Sequence, residues 1–272
     1  MATQTSTAAT TPVKRRTAAQ KGRKRRPLLP IGVAAGSVAL WEFICAMFGV
    51  PTYIVPRPTE VAEGLVADWD LILTHLQPTL IETVAGFVLG NGVAIILAII
   101  FVHWRPAERA LMPMAIFIRT IPIVAIAPVL VIMLGNGYAP KILIAALISF
   151  FPTLVNMVKG LDSVDRQSIE LLRVLSASRR ETFFKVRLFA SLPFLYASLK
   201  IATGNSLIGA IVAEWIGSQK GLGYLIIQTT YNYDTPLLYS VMIVASLIAI
   251  GLYALVEIAE RLTVTWDPES KH

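Results

Sequence analysis

Six positions near the middle of this chain have the types and spacing to do work: Glu170, Arg173, Ser176, Ser178, Arg179 and Glu181. The chemistry they point to is electrostatic and structural rather than covalent. Ser178-Arg179-Arg180-Glu181 has the S-x-x-E form of a capping box. In such a box a hydroxyl and a carboxylate satisfy the first backbone donors of a helix and of each other. Upstream, Asp165 is placed to cap a helix from Arg166 to Leu175, with Ile169, Leu172 and Leu175 at helical spacing. The pattern predicts two short helices meeting at Ser176–Ser178 inside the segment 159–193. Periodicity alone leaves two readings equal: a compact knob presented to a partner, or an amphipathic hairpin lying on lipid.

A second set of candidates is polar or charged and set in apolar sequence. A charge at the bilayer centre costs roughly 2.5–3.5 kcal/mol on insertion scales, so such residues face a cavity, a path or a partner. On that ground Arg119 with Pro122, Asn156 and Glu214 are candidates for a translocation path. Glu82 and Glu257 lie near predicted helix ends and are expected to reach water. Lys200 is expected to snorkel to the inner face.

Other chemistries find no support. The chain has no G-x-x-x-x-G-K-[ST] phosphate loop, so ATP hydrolysis by that route would need another subunit. Cys45 is the only cysteine, which leaves no intramolecular disulfide and no cysteine-built metal centre. His75, His103 and His272 show no metal-ligand spacing. No cluster of His, Asp or Glu has catalytic spacing. No cofactor or metal is expected in this chain.

The elements that must position these residues follow from composition. Of 272 residues 55% are hydrophobic and 15% charged, with a mean hydropathy of +0.66. Soluble domains carry roughly 25% charge, and disordered chains need few apolar residues. Long apolar runs make the membrane the natural solvent. Six spans are predicted, at about Leu28–Val50, Pro78–Val102, Met112–Leu134, Lys141–Val158, Phe194–Ile216 and Leu237–Glu257. The first is too long for the apolar core of a signal peptide, and it is expected to stay in place. The fold class is therefore all-α, a polytopic membrane protein.

Charge orients it. The segments 1–27, 103–111, 159–193 and 258–272 hold 19 of the 24 Lys and Arg residues. By the positive-inside rule both termini are cytoplasmic. The domain organisation expected is a disordered basic tail (1–27), a membrane domain (28–262) and a short cytoplasmic tail (263–272). The tail also has the charge to meet anionic lipid. The formal net charge of +7 is explained by one membrane face, so no nucleic acid is expected as partner. On the other face, the segment 217–236 carries Tyr224, Tyr231 and Tyr233. It reads as an interfacial aromatic belt, or as a contact surface or lid over a pore.

The run Glu170-Leu171-Leu172-Arg173-Val174-Leu175-Ser176 resembles the EAA loop of ABC importer permeases. Leu171 and Leu172 stand where that family has alanines, and Ser176 where it has glycine. Phe189 replaces a proline, while Leu192-Pro193 matches the second leucine-proline pair. Val55-Pro56-Arg57-Pro58, Arg119-Thr120-Ile121-Pro122 through Pro128, Phe150-Phe151-Pro152, and Val212-Ala213-Glu214 with Gly221-Leu222-Gly223-Tyr224 resemble further stretches of the same family in the same order. The collinear set places the resemblance with permeases of the nitrate, sulfonate and taurine group, which also serves thiamine-precursor pyrimidines. That resemblance implies two permease copies forming a pore, a separate ATPase subunit that binds Mg-ATP and receives the loop, and an extracytoplasmic substrate-binding protein. An ion-driven secondary transporter is the alternative, and it would require inverted repeats with discontinuous helices.

Overall fold

The computed structural model describes residues 28–266. The basic tail 1–27 and the last residues, 267–272, lie outside the described residues. The described chain is helical throughout: α1 (Leu28–Phe48), α2 (Pro58–Ala67), α3 (Trp69–His103), α4 (Arg105–Thr120), α5 (Ile123–Leu134), α6 (Tyr138–Leu161), α7 (Arg166–Val174), α8 (Arg179–Thr182), a π turn (Phe183–Arg187), α9 (Leu188–Glu214), α10 (Leu222–Tyr231) and α11 (Thr235–Thr263).

The centre is a three-helix unit of α3, α6 and α9. In lipid, helices associate by close packing of small residues rather than by a hydrophobic driving force. Ala145 and Ala146 of α6 sit in notches at Gly86 and Gly90 of α3 and Gly209 of α9, where an added methyl would overlap their atoms. Gly92, in the same glycine-rich run, faces open space. The Thr153 hydroxyl donates to Asn91 Oδ1 at 2.5 Å, adding a polar contact between α6 and α3. Around this unit α11 packs on α9 and α2, and α10 folds back against α3, α9 and α11. Helix α1 touches α2, where the Glu42 carboxylate accepts from the Thr59 amide at 3.2 Å. Its other side chains from residue 32 onward are largely exposed, which suits contact with lipid.

Among the described residues, four helical stretches are long and apolar enough to cross a membrane: Trp69–His103, Tyr138–Leu161, Arg179–Glu214 and Thr235–Thr263. Three expectations need correction. The third predicted span is not one helix. It is α4 and α5, bent by 98° at Ile121–Pro122, because Pro122 supplies no amide donor and biases Ile121 to extended backbone. The second span begins at Trp69, not Pro78. Pro78 therefore lies inside α3 and Glu82 lies well within the helix, fully buried rather than near water. Finally, the second helix of the 159–193 segment is not a separate short element. It runs on through the π turn into α9 as one rod of 36 residues.

Three of the four basic segments converge at one end of the molecule. Arg105 and Arg187 both meet Asp162, Lys200 pairs with Glu260, and Phe189 packs edge-on against Trp266. Lys200 thus finds a carboxylate partner on α11 as well as the Tyr253 ring at 5.8 Å.

Candidate functional site

At the end of the molecule that carries Asp162, α7 and α8 form a hairpin held by backbone and side-chain caps. Asp165 Oδ1 accepts from the Ser168 amide at 2.7 Å, and Oδ2 accepts from its hydroxyl at 2.6 Å. The Ser168 hydroxyl, then its amide, hold the Asp165 carboxyl below its usual range. At Ser178 the capping box is complete: Glu181 N–H donates to the Ser178 hydroxyl, and the Ser178 amide donates to Glu181.

The turn between the two helices is a Schellman motif. Ala177 N–H reaches Leu172 O and Ser176 N–H reaches Arg173 O, at 2.9 and 3.0 Å. This motif needs a left-handed residue, and Ser176 has φ of 58°. The departure from glycine noted in the sequence therefore falls on the one position of this turn where glycine is favoured. Left-handed backbone costs a non-glycine residue about 1–2 kcal/mol, offset in part by the larger freedom of glycine in the unfolded chain. Ser176→Gly is expected to tighten the turn by about 0.5 kcal/mol on balance. Slower hydrogen exchange of the Ala177 amide, by roughly twofold, would register it.

Nothing on α7 is buried. Glu170, Arg173, Ser176, Ser178, Arg179 and Glu181 are all exposed, together with the apolar Leu171, Val174 and Leu175 at 60%, 81% and 68%.

The bend between α4 and α5 opens a second feature, a cleft of about 630 Å³. Arg119 and Pro122 line it with Leu97, Ile118, Phe151 and Asn205. The Arg119 guanidinium lies 4.6 Å from the centre of the Phe151 ring in a cation–π arrangement, and the residue is exposed. Asn156 is elsewhere on α6. Its amide donates to the Pro152 carbonyl at 2.9 Å, beside a proline that interrupts the helical ladder. Glu214 is not in the cleft either. The structure thus groups Arg119 with Pro122 and separates both from Asn156 and Glu214.

Glu214 belongs to a third feature, a buried polar latch at the end opposite Asp162. Three successive backbone amides at the start of α10 each find a side chain from another helix. Gly221 N–H donates to His75 Nδ1 at 3.1 Å, Leu222 N–H to the Thr79 hydroxyl at 2.7 Å, and Gly223 N–H to Glu214 Oε2 at 2.5 Å. The Thr79 hydroxyl in turn donates to Glu214 Oε1 at 2.6 Å. The first amides of a helix have no partner within it, and α3 and α9 supply them here. His75 also stacks on Tyr224, ring centres 5.7 Å apart. Beside the latch, Lys141 Nζ lies 3.1 Å from Glu82 Oε1 and donates to Ser218 at 2.9 Å. The Glu82 carboxyl faces Glu214.

His75, Thr79, Glu82 and Lys141 were not among the residues singled out for function from sequence. A signal existed: positions 75, 79 and 82 recur at helical spacing, a polar stripe on an otherwise apolar helix. Among the described residues no group of His, Cys, Asp and Glu has the arrangement to hold a metal ion.

A bundle of long apolar helices, with a broken helix beside a cleft and an exposed capped hairpin, has the form of a polytopic membrane protein. Residues 90–264 match the family of binding-protein-dependent transport system inner membrane components, and the chain belongs to that family. It is 34% identical to a probable ABC transporter permease protein of Haemophilus influenzae, over 86% of this chain and 94% of that one. It is 31% identical to the formylaminopyrimidine transport permease protein ThiX of Halalkalibacterium halodurans, over 84% and 92%. With the putative aliphatic sulfonates transport permease protein SsuC of Bacillus subtilis it shares 28% over 90% of each chain. A solved structure of the MetNI methionine ABC transporter in an inward-facing conformation has the same fold, with a TM-score of 0.55 and 18% identity over 71% of this chain and 94% of that one. The ion-driven alternative is not favoured by these relatives.

Proposed function

We propose that this chain is the membrane-spanning subunit of an ATP-driven importer, in which the α7–α8 hairpin receives the stroke of a separate ATPase. In this reading α1 and the bent α4–α5 pair complete six spans, with both ends of the chain cytoplasmic. Two copies enclose the path, lined by Arg119 and Pro122, and a substrate-binding protein delivers a small polar solute from outside. That solute is a sulfonate, nitrate or taurine-like anion, or a pyrimidine or vitamin precursor; relatives named for formylaminopyrimidine and aliphatic sulfonate transport support this range. Hydrolysis of Mg-ATP belongs to the ATPase subunit.

The observation that carries the proposal is the state of α7. The helix is capped at both ends, buries none of its residues and presents Leu171, Val174 and Leu175 beside Glu170 and Arg173. Exposed apolar side chains rimmed by charge are the composition of a docking surface. Rim charges mainly set register and suppress wrong partners. Glu170→Ala and Arg173→Glu are therefore expected to leave membrane insertion intact while lowering ATP-coupled uptake, the reversal by about tenfold or more. The test is uptake into vesicles holding the co-expressed complex. Undiminished uptake by both variants at normal expression would sink the coupling role.

A further inference from the structure

Asp162 lies where the end of α6, the start of α4 and the π turn before α9 meet. It caps the C-terminal end of α6, with its backbone amide on Val158 O and Gly160 O. Three residues later the chain enters α7, so Asp162 is one root of the hairpin. Arg187, the last residue of the π turn, is the other root, and its guanidinium lies 3.6 Å from Asp162 Oδ1. The same oxygen takes Arg105, the first residue of α4, at 2.8 Å, while a second nitrogen of Arg105 meets Glu108 at 2.6 Å. One carboxylate thus ties both roots of the hairpin to the start of the helix whose far end carries Arg119 and the bend at Pro122.

Two further observations give this tie a mechanical meaning. Just before Asp162, Gly160 lets α6 and α9 touch: a methyl there would come within 2.8 Å of Phe194 Cβ. That close crossing makes the hairpin roots and the base of the bundle move together, as packed elements do. Helix α4, in contrast, is held loosely, with Ala107 its one buried residue. The ion pairs are partly exposed, the Arg105 side chain at 50% and that of Asp162 at 30%. Exposed pairs of this kind add little to stability, so the network sets a position rather than holding the fold.

We propose that the Arg105–Asp162–Arg187 junction is the joint that passes displacement of the hairpin to α4, and through α4 to the cleft at Arg119 and Pro122. Asp162 and Arg105 are positioning residues in this scheme and touch no solute. The inference rests on the coupling role of the α7–α8 hairpin.

The test uses the complete transporter in lipid vesicles, with its ATPase and binding protein. Cys45 is replaced by serine, and spin labels are placed at the exposed Ile116 of α4 and Ile201 of α9. The labelled chain is diluted into unlabelled chain, and the distance between labels is read with and without Mg-ATP. The native sequence is expected to show an ATP-dependent change. Asp162→Asn and Arg105→Gln are expected to assemble and hydrolyse ATP, yet lose more than half of that change. Arg105→Lys, which keeps the charge, is expected to restore most of it. An undiminished change in both neutral variants overturns the joint, and so does failure of both to assemble, because the network would then be holding the fold. If the native complex hydrolyses ATP with no change in distance, the hairpin's coupling role itself fails, a result distinct from either.

Discussion

Replacing Gly221 by alanine is expected to be among the most damaging single-methyl changes this chain can receive, at about 3–5 kcal/mol. Gly221 has φ of 118°, a region that side chains other than glycine rarely enter, and occupying it costs about 1–3 kcal/mol. An alanine methyl there would also overlap the carboxylate of Glu214. Moving that carboxylate strips the Gly223 amide of its acceptor and leaves the Thr79 hydroxyl only the longer contact to the His75 carbonyl at 3.3 Å, in a site where Thr79 and Glu214 are 0% and 1% exposed. Each buried donor left unpaired costs about 1–3 kcal/mol. The matched control is Gly92→Ala, in the interior of α3 with open space around it, where alanine is the better helix former by about 1 kcal/mol. Thermal unfolding of the two purified variants in mild detergent should bracket the native protein, Gly221→Ala well below and Gly92→Ala at or slightly above. A Gly221→Ala protein as stable as the native one would show that the latch does not bear on the fold.

The contrast between these two glycines shows where a sequence speaks and where it is silent. Both stand in glycine-rich sequence, Gly92 in a largely apolar run and Gly221 just after Ser218-Gln219-Lys220, and spacing alone does not say which one is crowded. What separates them is the left-handed backbone of Gly221 and the Glu214 carboxylate laid against it, a contact that arises only when α10 packs on α9. The features that depend on nearest neighbours along the chain were readable: the caps at Asp165 and Ser178 and the apolar runs of the spans. Pro122 was visible too, but membrane helices tolerate proline, so nothing local marked it as a bend of 98° rather than a kink within one span. In the hairpin even the turn was marked, because Ser176 stands where the related loop has glycine and its backbone is left-handed. Long-range pairings were not readable. Glu82 looked like a residue near a helix end because Pro78 looked like a helix start. Once α3 is seen to begin at Trp69, the same carboxyl lies well inside the helix and fully buried. Asp162 and Arg105 are 57 residues apart, and no local pattern links them.

Glu82 and Lys141 carry the second large expectation. Their side chains are 0% and 9% exposed and lie 3.1 Å apart, joining α3 to α6. Removing one partner of a buried pair strands the other charge, at a cost of about 3–5 kcal/mol, whereas replacing both together is often nearly neutral. Lys141→Met is therefore expected to lose about 3–5 kcal/mol, since it leaves Glu82 buried against Glu214 with no cation beside it. Glu82→Gln should be milder, because Lys141 keeps the Ser218 hydroxyl at 2.9 Å and gains the amide oxygen as an acceptor. Adding Glu82→Gln to Lys141→Met should recover most of the loss, giving a coupling energy of about 2–3 kcal/mol in the double-mutant cycle. Unfolding of the four proteins in the same detergent measures it. Equal and additive losses from the two single changes would mean that the carboxyl and the ammonium do not sense each other. Recovery in the double variant would mean that α3 and α6 meet through glycine and alanine contacts that hold without the ion pair. The pair would then set how the two helices align, while the latch beside it keeps α10 in place.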